Sequence, residues 1–261
     1  MGCMGSSIRK LTAPQNLTAL AYDSIKRHIL EGKVDEDTRL TEEFLSNRLG
    51  ISKSPVREAL NSLQTEGLIH IEPRRGARLR RFSVKEVKNL YDLRETLEVF
   101  AVSRAQVTPM LLADLAKSVE RTRRFVKAND KTKHIEEDTK FHAAIASATG
   151  NDELCRVLKN IQDQIWLCRC KTYNLSSSTA SDAHLTILKA LEANDRKGAQ
   201  TAMRNHIDHV RTRLVDFLEQ SSMLEPAADH ITKDTVSEAA EKVSPRGKIV
   251  PSAAKAALIS K

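Results

Sequence analysis

One segment of this chain places a carboxylate and an imidazole on the apolar face of a predicted helix. In the stretch EEDTKFHAAIA, residues 136–146, Asp138 and His142 fall on the same line as Ile135 and Ile145. Residues four apart occupy adjacent turns of one helix face, so the two polar side chains lie side by side. An inward pair of this kind forms a core hydrogen bond, part of a catalytic centre or part of a ligand site.

Two further histidines lie on apolar lines of other predicted helices, His184 with Ile187 and His206 with Met203. Each one alone is more often a satisfied core residue than a ligand. Three helices that each contribute an inward histidine favour a shared site. Imidazole and carboxylate ligands together suit Zn, Ni, Mn or Fe better than Ca or Mg. The candidate metal ligands are Asp138, His142, His184 and His206.

An arginine also lies on a predicted apolar stripe, where Arg94 falls in line with Leu90 and Leu97. Arginine is rarely buried without a partner. It therefore pairs with Glu98 or another internal acid, or it binds an anion. The residues alone leave both interpretations open.

Residues 17–81 have the pattern of three helices followed by a basic hairpin. The second helix is predicted over residues 41–49, with Thr41 as its N-cap and Gly50 as the glycine that ends it. The segment LIHIEPRRGARL then reads as two short strands around an Arg-Arg-Gly turn. Two helices joined by a tight turn and followed by a hairpin predict a winged helix-turn-helix.

The third helix is predicted to begin with Ser54 as N-cap and Pro55 at the first helical position. A helix N-terminus presents free N–H groups to a phosphate, and side chains there reach base edges in the major groove. A merely solvated basic surface is the alternative, but it does not explain why the charges follow a helix-turn-helix pattern. The predicted DNA-binding residues are Ser52, Lys53, Ser54 and Arg57 on the helix, and Arg74, Arg75, Gly76 and Arg78 on the wing.

The remainder of the chain is predicted to be helical up to a polar tail. Turn signals separate the segments, which favours an antiparallel six-helix bundle within residues 83–221. The fold class is therefore mainly α. Residues 1–16 are predicted to be a flexible N-terminus, and residues 222–261 a disordered tail without an apolar stripe. The six predicted helices are residues 83–106, 109–128, 132–149, 152–172, 181–193 and 195–219.

Length and composition fit a two-domain protein of the cytoplasm. The chain has 261 residues and a net charge of +8, which is concentrated locally in PRRGARLRR, residues 73–81. Its four cysteines do not form a disulfide framework, which favours a reducing compartment. No apolar run has the length of a membrane span, and no secretory signal is predicted.

The stretch ISKSPVREALNSLQTEGLI resembles the signature of GntR-type bacterial transcription regulators. The resemblance covers about residues 17–81 and implies DNA binding through Ser52, Lys53 and Arg57. Glu43 departs from the pattern, because family members often have a DNA-contacting basic residue there. The resemblance also implies a homodimer on a palindromic operator.

The segments DTKFHAAI, AHLTILKAL and AMRNHI resemble the FCD effector-binding domain of the fatty-acid-regulator branch of that family. This resemblance covers about residues 83–219, and six helices point to the shorter, VanR-like version. It implies a divalent metal on Asp138, His142, His184 and His206, whose coordination a carboxylate ligand completes. It also implies that Arg94 lines the effector pocket.

The predicted function is a ligand-responsive transcriptional regulator, of the repressor type, that senses a small organic acid at a divalent metal. A regulator for which the ion itself is the signal is the alternative. A metal-dependent enzyme is less favoured, because no spare inward carboxylate has a clear role as a general base, and Glu98 is the nearest candidate. We therefore expect no catalytic residue.

Overall fold

The computed structural model describes residues 16–35, 37–172 and 180–224. The predicted flexible segment 1–16, apart from Asn16, lies outside these ranges, as does the predicted tail beyond residue 224. Among the described helices, none is long and apolar enough to cross a membrane.

The N-terminal part forms the predicted three helices and hairpin. Its small core draws on every one of these elements and includes Ile25, Val56, Leu63 and Ala77. The two strands pair antiparallel, with Ile69 opposite Leu79 and Glu72 opposite Gly76. The elements are α1 (Leu17–Leu30), α2 (Glu42–Leu49), α3 (Lys53–Thr65), β1 (Ile69–Glu72) and β2 (Gly76–Leu79).

The two ends of the turn between α2 and α3 differ in how well they were predicted. Thr41 caps α2, since its hydroxyl accepts from the Phe44 N–H at 3.1 Å, and Gly50 ends that helix at φ 68° as expected. The predicted start of α3 was wrong, because its N-cap is Ser52 and not Ser54. Pro55 is consequently the third helical residue. Proline is tolerated there because the N–H groups of the first turn have no acceptor within the helix.

Gly76 has a structural reason to be glycine. Its φ is 86°, and a Cβ atom there would lie 2.9 Å from the carbonyl oxygen of Leu40. That close approach exists because Leu40 and Ala77 exchange backbone hydrogen bonds of 2.8 and 2.9 Å. Gly76 is one of the predicted DNA-binding residues, and the packing of the wing explains why a glycine is needed at this position.

Six helices follow, as predicted, and the described chain is mainly α. Their common core runs from Val87 to Val215 and includes Phe141, Ile165 and Ile187. The last helix is described as far as Leu224, five residues beyond the predicted Glu219. The helices are α4 (Val84–Arg104), α5 (Pro109–Lys127), α6 (Lys131–Ser147), α7 (Asp152–Thr172), α8 (Ala180–Glu192) and α9 (Arg196–Leu224).

Helix α7 also contacts the N-terminal part, through a group of polar residues that we call the junction cluster: Tyr22, Lys26, Glu66 and Asp163. Lys26 of α1 is only 8% exposed, and its Nζ lies 2.7 Å from Glu66 Oε2 and 2.7 Å from Asp163 Oδ2. Next to this cluster, Leu167 packs against the N-terminal core. The opposite side of α7 faces the interior of the bundle.

Candidate functional site

The four predicted metal ligands meet inside the helical bundle, and we call them the Asp/His cluster. Asp138 and His142 come from α6, His184 from α8 and His206 from α9, and all four are buried. One donor atom from each lies within 4.8 Å of the others. Asp138 Oδ1 is 3.3 Å from His184 Nε2 and 4.0 Å from His206 Nε2. His142 Nε2 and His206 Nε2 are 3.2 Å apart.

A buried carboxylate fixes the orientation of one histidine in this cluster. Glu98 of α4 pairs with Nδ1 of His142 and also accepts a hydrogen bond of 2.7 Å from Nε of Arg94. A histidine that donates through Nδ1 keeps the Nε2 lone pair available for a metal. Arg94, for which the sequence left the partner open, is paired with the internal acid Glu98, and it also lines the small cavity beside Asp138.

Arg169 of α7 pairs with Oδ2 of Asp138, and the sequence analysis missed it. Its side chain is 8% exposed and closes the Asp/His cluster on the side of α7. The available signal was its spacing, four residues after the buried Ile165. The same reasoning identified Arg94, so applying it to α7 would have found Arg169.

Burial and charge together hold Asp138, His184 and His206 in protonation states that suit metal binding. Burial by itself would raise the pKa of Asp138, but Arg169 and His184 outweigh it and keep that pKa well below its usual value. Burial lowers the pKa of His184 and, further, that of His206. Ionised carboxylate and neutral imidazole are the forms that ligate metals.

Two buried ligand atoms of the cluster lack a hydrogen bond of regular geometry. Asp138 Oδ1 and His184 Nε2 lie 3.3 Å apart, but among the described residues neither makes such a bond. Unsatisfied buried polar atoms are costly and rare in native proteins, so each calls for an explanation. A divalent ion among three imidazoles and one carboxylate would satisfy them, and such a donor set fits a transition metal.

Glu98, the carboxylate weighed as a general base, is poorly suited to that role. Burial would raise its pKa, but Arg94 and His142 outweigh that effect and lower the pKa to about 2. A general base works best with a pKa near the operating pH. The arrangement therefore favours binding over catalysis.

On α3, the residues predicted to contact DNA share one exposed surface. Ser52, Lys53 and Ser54 are exposed at its first turn. The exposed Arg57 forms a fork with Glu42 of α2, through bonds of 2.6 and 2.7 Å. This fork ties the two helices together and presents a guanidinium at the surface.

The predicted wing arginines fall into two groups. Arg74 and Arg75 are exposed at the hairpin turn, where Arg74 has a positive φ of 63°. Arg78 is half-buried and forms ion pairs with Glu72 at 3.5 Å and Asp37 at 3.9 Å. The turn arginines are therefore more available to an external phosphate than Arg78 is.

Two family models match this chain. The model described as "Bacterial regulatory proteins, gntR family" matches residues 17–79, and the model described as "FCD domain" matches residues 89–209. The first range contains the helix-turn-helix and its wing. The second contains all four residues of the Asp/His cluster.

Similar proteins include a gluconate operon transcriptional repressor from Bacillus subtilis (strain 168), 27% identical over 81% of this chain and 90% of the relative. The transcriptional repressor RspR from Escherichia coli (strain K12) is 24% identical over 82% of this chain and 95% of its own. Two solved structures share the fold. E. coli McbR/YncC has a TM-score of 0.68 at 22% identity, covering 79% of this chain and 98% of that one. A putative GntR regulator from Rhodococcus sp. RHA1 has a TM-score of 0.69 at 19% identity, covering 76% and 97%.

Proposed function

Because this chain belongs to the gntR family of bacterial regulatory proteins and carries an FCD domain, we propose that it is a repressor controlled by a small organic acid. It is a DNA-binding transcriptional regulator, and related family members are repressors. The acid would bind in the helical bundle, at a divalent metal held by the Asp/His cluster. Double-stranded DNA would be its target, and the protein would act in the cytoplasm.

The observation that carries the sensing half is the meeting of four buried ligand atoms in the Asp/His cluster, one from each residue and all within 4.8 Å of one another. Asp138 Oδ1 and His184 Nε2 lie 3.3 Å apart there without a hydrogen bond of regular geometry, and a bound ion would satisfy both atoms. Zn, Ni, Mn and Fe all accept this donor set. When bound, such an ion supplies a Lewis-acid position for the ligand's carboxylate.

The DNA-binding half rests on the first turn of α3 and on the wing turn. Ser52, Lys53, Ser54 and Arg57 would face the major groove, while Arg74 and Arg75 would meet the phosphate backbone. A palindromic operator would bind two such DNA-binding parts on one duplex, one from each subunit of a homodimer. Effector binding would change DNA affinity only to the extent that the effector prefers one arrangement of the two parts.

A second candidate is a regulator that senses the metal ion alone. The cavity beside Asp138, lined also by Arg94 and Arg169, has a volume of about 10 Å³. That is room for about one water molecule. In this conformation the cavity would hold a water molecule and no organic ligand, which favours a regulator whose signal is an ion bound at the Asp/His cluster.

Thermal melting of the purified full-length protein separates the two candidates. We would record melting with a panel of small carboxylic acids, before and after metal is stripped by a chelator. A ligand that binds only the folded state raises the melting temperature with its occupancy. An acid that stabilises only the metal-loaded protein supports the organic-acid regulator. A large shift with metal, but none with any acid, supports the metal sensor.

A substitution on α9 tests whether His206 is a metal ligand. His206→Ala should lower the metal content of the purified protein, measured by elemental analysis. His209→Ala is the matched control, because His209 is exposed and lies one helical turn away. Equal metal content in both variants would contradict the assignment.

A further inference from the structure

Two acidic residues, Glu42 and Glu43, form the first turn of α2, beside the exposed residues of α3. Glu42 is engaged, because both of its carboxylate oxygens accept hydrogen bonds from Arg57. The side chain of Glu43 is 75% exposed, and its ion pair with Nζ of Lys53 spans 3.9 Å. That distance is longer than a hydrogen bond. The carboxylate of Glu43 can therefore accept from an external donor.

The backbone around Glu43 is held by local hydrogen bonds. Thr41 caps α2 by accepting from the N–H of Phe44 at 3.1 Å. The hydroxyl of the buried Ser46 donates to the carbonyl oxygen of Glu43 at 3.0 Å. The carboxylate of Glu43 thus projects from a capped helix end, on the side of α2 that lies against Lys53 of α3.

The surface that contains Glu43 has no excess of positive charge in its centre. Lys53 and Arg57 bring two positive charges, and Glu42 and Glu43 bring two negative ones. Attraction to phosphates is the main source of affinity for DNA, and an exposed carboxylate reduces it. This loss would be offset if the carboxylate accepted a hydrogen bond from the DNA itself.

Duplex DNA offers a carboxylate few partners. Phosphate oxygens are anionic acceptors, so they repel it. In the major groove the donors are the N4 amino group of cytosine and the N6 amino group of adenine. Adenine presents the acceptor N7 beside its donor, and this pair suits an amide, which both donates and accepts. A carboxylate, which only accepts, suits cytosine.

We propose that Glu43 is a specificity-determining residue that accepts a hydrogen bond from the N4 amino group of a cytosine in the operator. This proposal rests on the proposed function, since it requires the first turn of α3 to face the major groove. On binding, Lys53 leaves Glu43 for a backbone phosphate, while Arg57 makes its own base contact. Each half-site then contains a C·G pair at a fixed distance from the base pair that Arg57 contacts.

Glu43→Gln separates base recognition from a general effect of charge. The substitution keeps the length of the side chain, removes its negative charge and adds amide donors. Operators are selected from random duplexes with the full-length parental protein and with the variant. Fluorescence anisotropy then gives affinities for duplexes that differ at one base pair. We expect the parental protein to prefer cytosine over adenine at one position of the half-site by about tenfold or more, and Glu43→Gln to lose or reverse this preference.

Glu153→Gln is the matched control. Glu153 also lies in the first turn of a helix, its side chain is likewise 75% exposed, and it pairs with Arg156 at 2.8 Å. It belongs to α7 of the bundle and not to the helix-turn-helix. This variant loses the same charge, and its affinity and base preferences should both equal those of the parental protein.

Two results overturn the proposal. In the first, Glu43→Gln binds every duplex more tightly by one common factor with unchanged base preferences, because the acid then acts only on the phosphates. In the second, base preferences and affinity are both unchanged, or the parental protein has no cytosine preference that depends on Glu43.

Arg57→Ala in the same assay distinguishes this proposal from the proposed function. If Arg57→Ala weakens binding while Glu43→Gln leaves the base preferences unchanged, the DNA-binding surface of α3 stands without a role for Glu43. If neither substitution changes binding, the assignment of the first turn of α3 to the major groove is also wrong.

Discussion

Two groups of buried charges in this molecule differ in how completely they are paired. In the junction cluster, Lys26 Nζ contacts Glu66, Asp163 and the hydroxyl of Tyr22, each at 2.7 Å. In the Asp/His cluster and the cavity beside it, Asp138 Oδ1, His184 Nε2 and several N–H donors make no hydrogen bond of regular geometry within the described part of the chain. The first arrangement is complete without a ligand. The second leaves polar atoms available to bind a ligand.

This difference distinguishes charged groups that stabilise packing from polar groups that bind a ligand. Completely paired charges between two packed parts fix their relative position, and removing one member leaves the others stranded. Unpaired polar atoms at a cavity cost stability, and they are retained where a ligand completes them. Helix α7 contributes to both groups, through Asp163 on one side and Arg169 on the other.

The largest expected effect comes from breaking the junction cluster. Lys26→Met keeps most of the side-chain volume but removes the cation that Glu66 and Asp163 share, and it leaves Asp163 with only the surface Lys159 as a partner at 3.0 Å. We expect a loss of about 3–5 kcal/mol in the free energy of unfolding, measured by chemical denaturation. Lys33→Met is the control, because Lys33 pairs with Glu31 at the surface and should cost no more than about 1 kcal/mol. Equal losses in the two variants would show that the cluster does not hold the two parts together.

The next largest effect is a dependence of the free energy of unfolding on pH, caused by the buried His134 of α6. Burial lowers the pKa of His134 from 6.5 to about 4. The unfolded chain then binds more protons between these values, so stability is complete above about pH 6.5 and falls as the pH drops toward 4. The loss from this residue is roughly 3 kcal/mol. His134→Gln should flatten the curve of stability against pH, while His70→Gln on the exposed wing should leave it unchanged. A His134→Gln curve as steep as that of the parent protein would assign the dependence to other groups.

A smaller effect is expected for Arg57, whose pairing is complete but exposed. Since Glu42 holds it at the surface, Arg57 can exchange this partner for a base edge. Arg57→Ala should weaken binding to an operator selected from random duplexes by about 1–3 kcal/mol, measured by fluorescence anisotropy. Arg48→Ala, at the far end of α2, is a control for general loss of positive charge. Unchanged affinity in Arg57→Ala would remove this residue from the interface.

The smallest effect compares the hydroxyl of Tyr22 in the junction cluster with that of Tyr91, whose ring lies 5.9 Å from the guanidinium of Arg94. Tyr22 donates to Glu66 at 2.5 Å, whereas the buried hydroxyl of Tyr91 has no hydrogen-bond partner among the described residues. Tyr22→Phe should lower the free energy of unfolding by about 1 kcal/mol, while Tyr91→Phe should leave it unchanged or raise it. Thermal denaturation of the two variants without ligand measures this. A larger loss in Tyr91→Phe would mean that its hydroxyl is satisfied in solution.

Much of the fold and of the ligand set could be predicted from local patterns. Apolar spacing placed Asp138, His142, His184 and His206 on inward faces, and the structure buries all four together. Spacing also predicted six helices in the bundle. The error at the start of α3 arose because Ser52 and Ser54 are both acceptable N-caps, and a proline in the first turn is compatible with either.

By itself the sequence determined which residues lie on the inward face of each helix, because a period of 3.6 residues and local capping depend only on neighbours along the chain. Only the tertiary structure decided which inward groups pair. Arg169 with Asp138, Glu98 with His142, and Lys26 with Asp163 join different helices. Such pairs depend on how the helices pack, and helical periodicity gives the direction of a side chain but not the partner it meets.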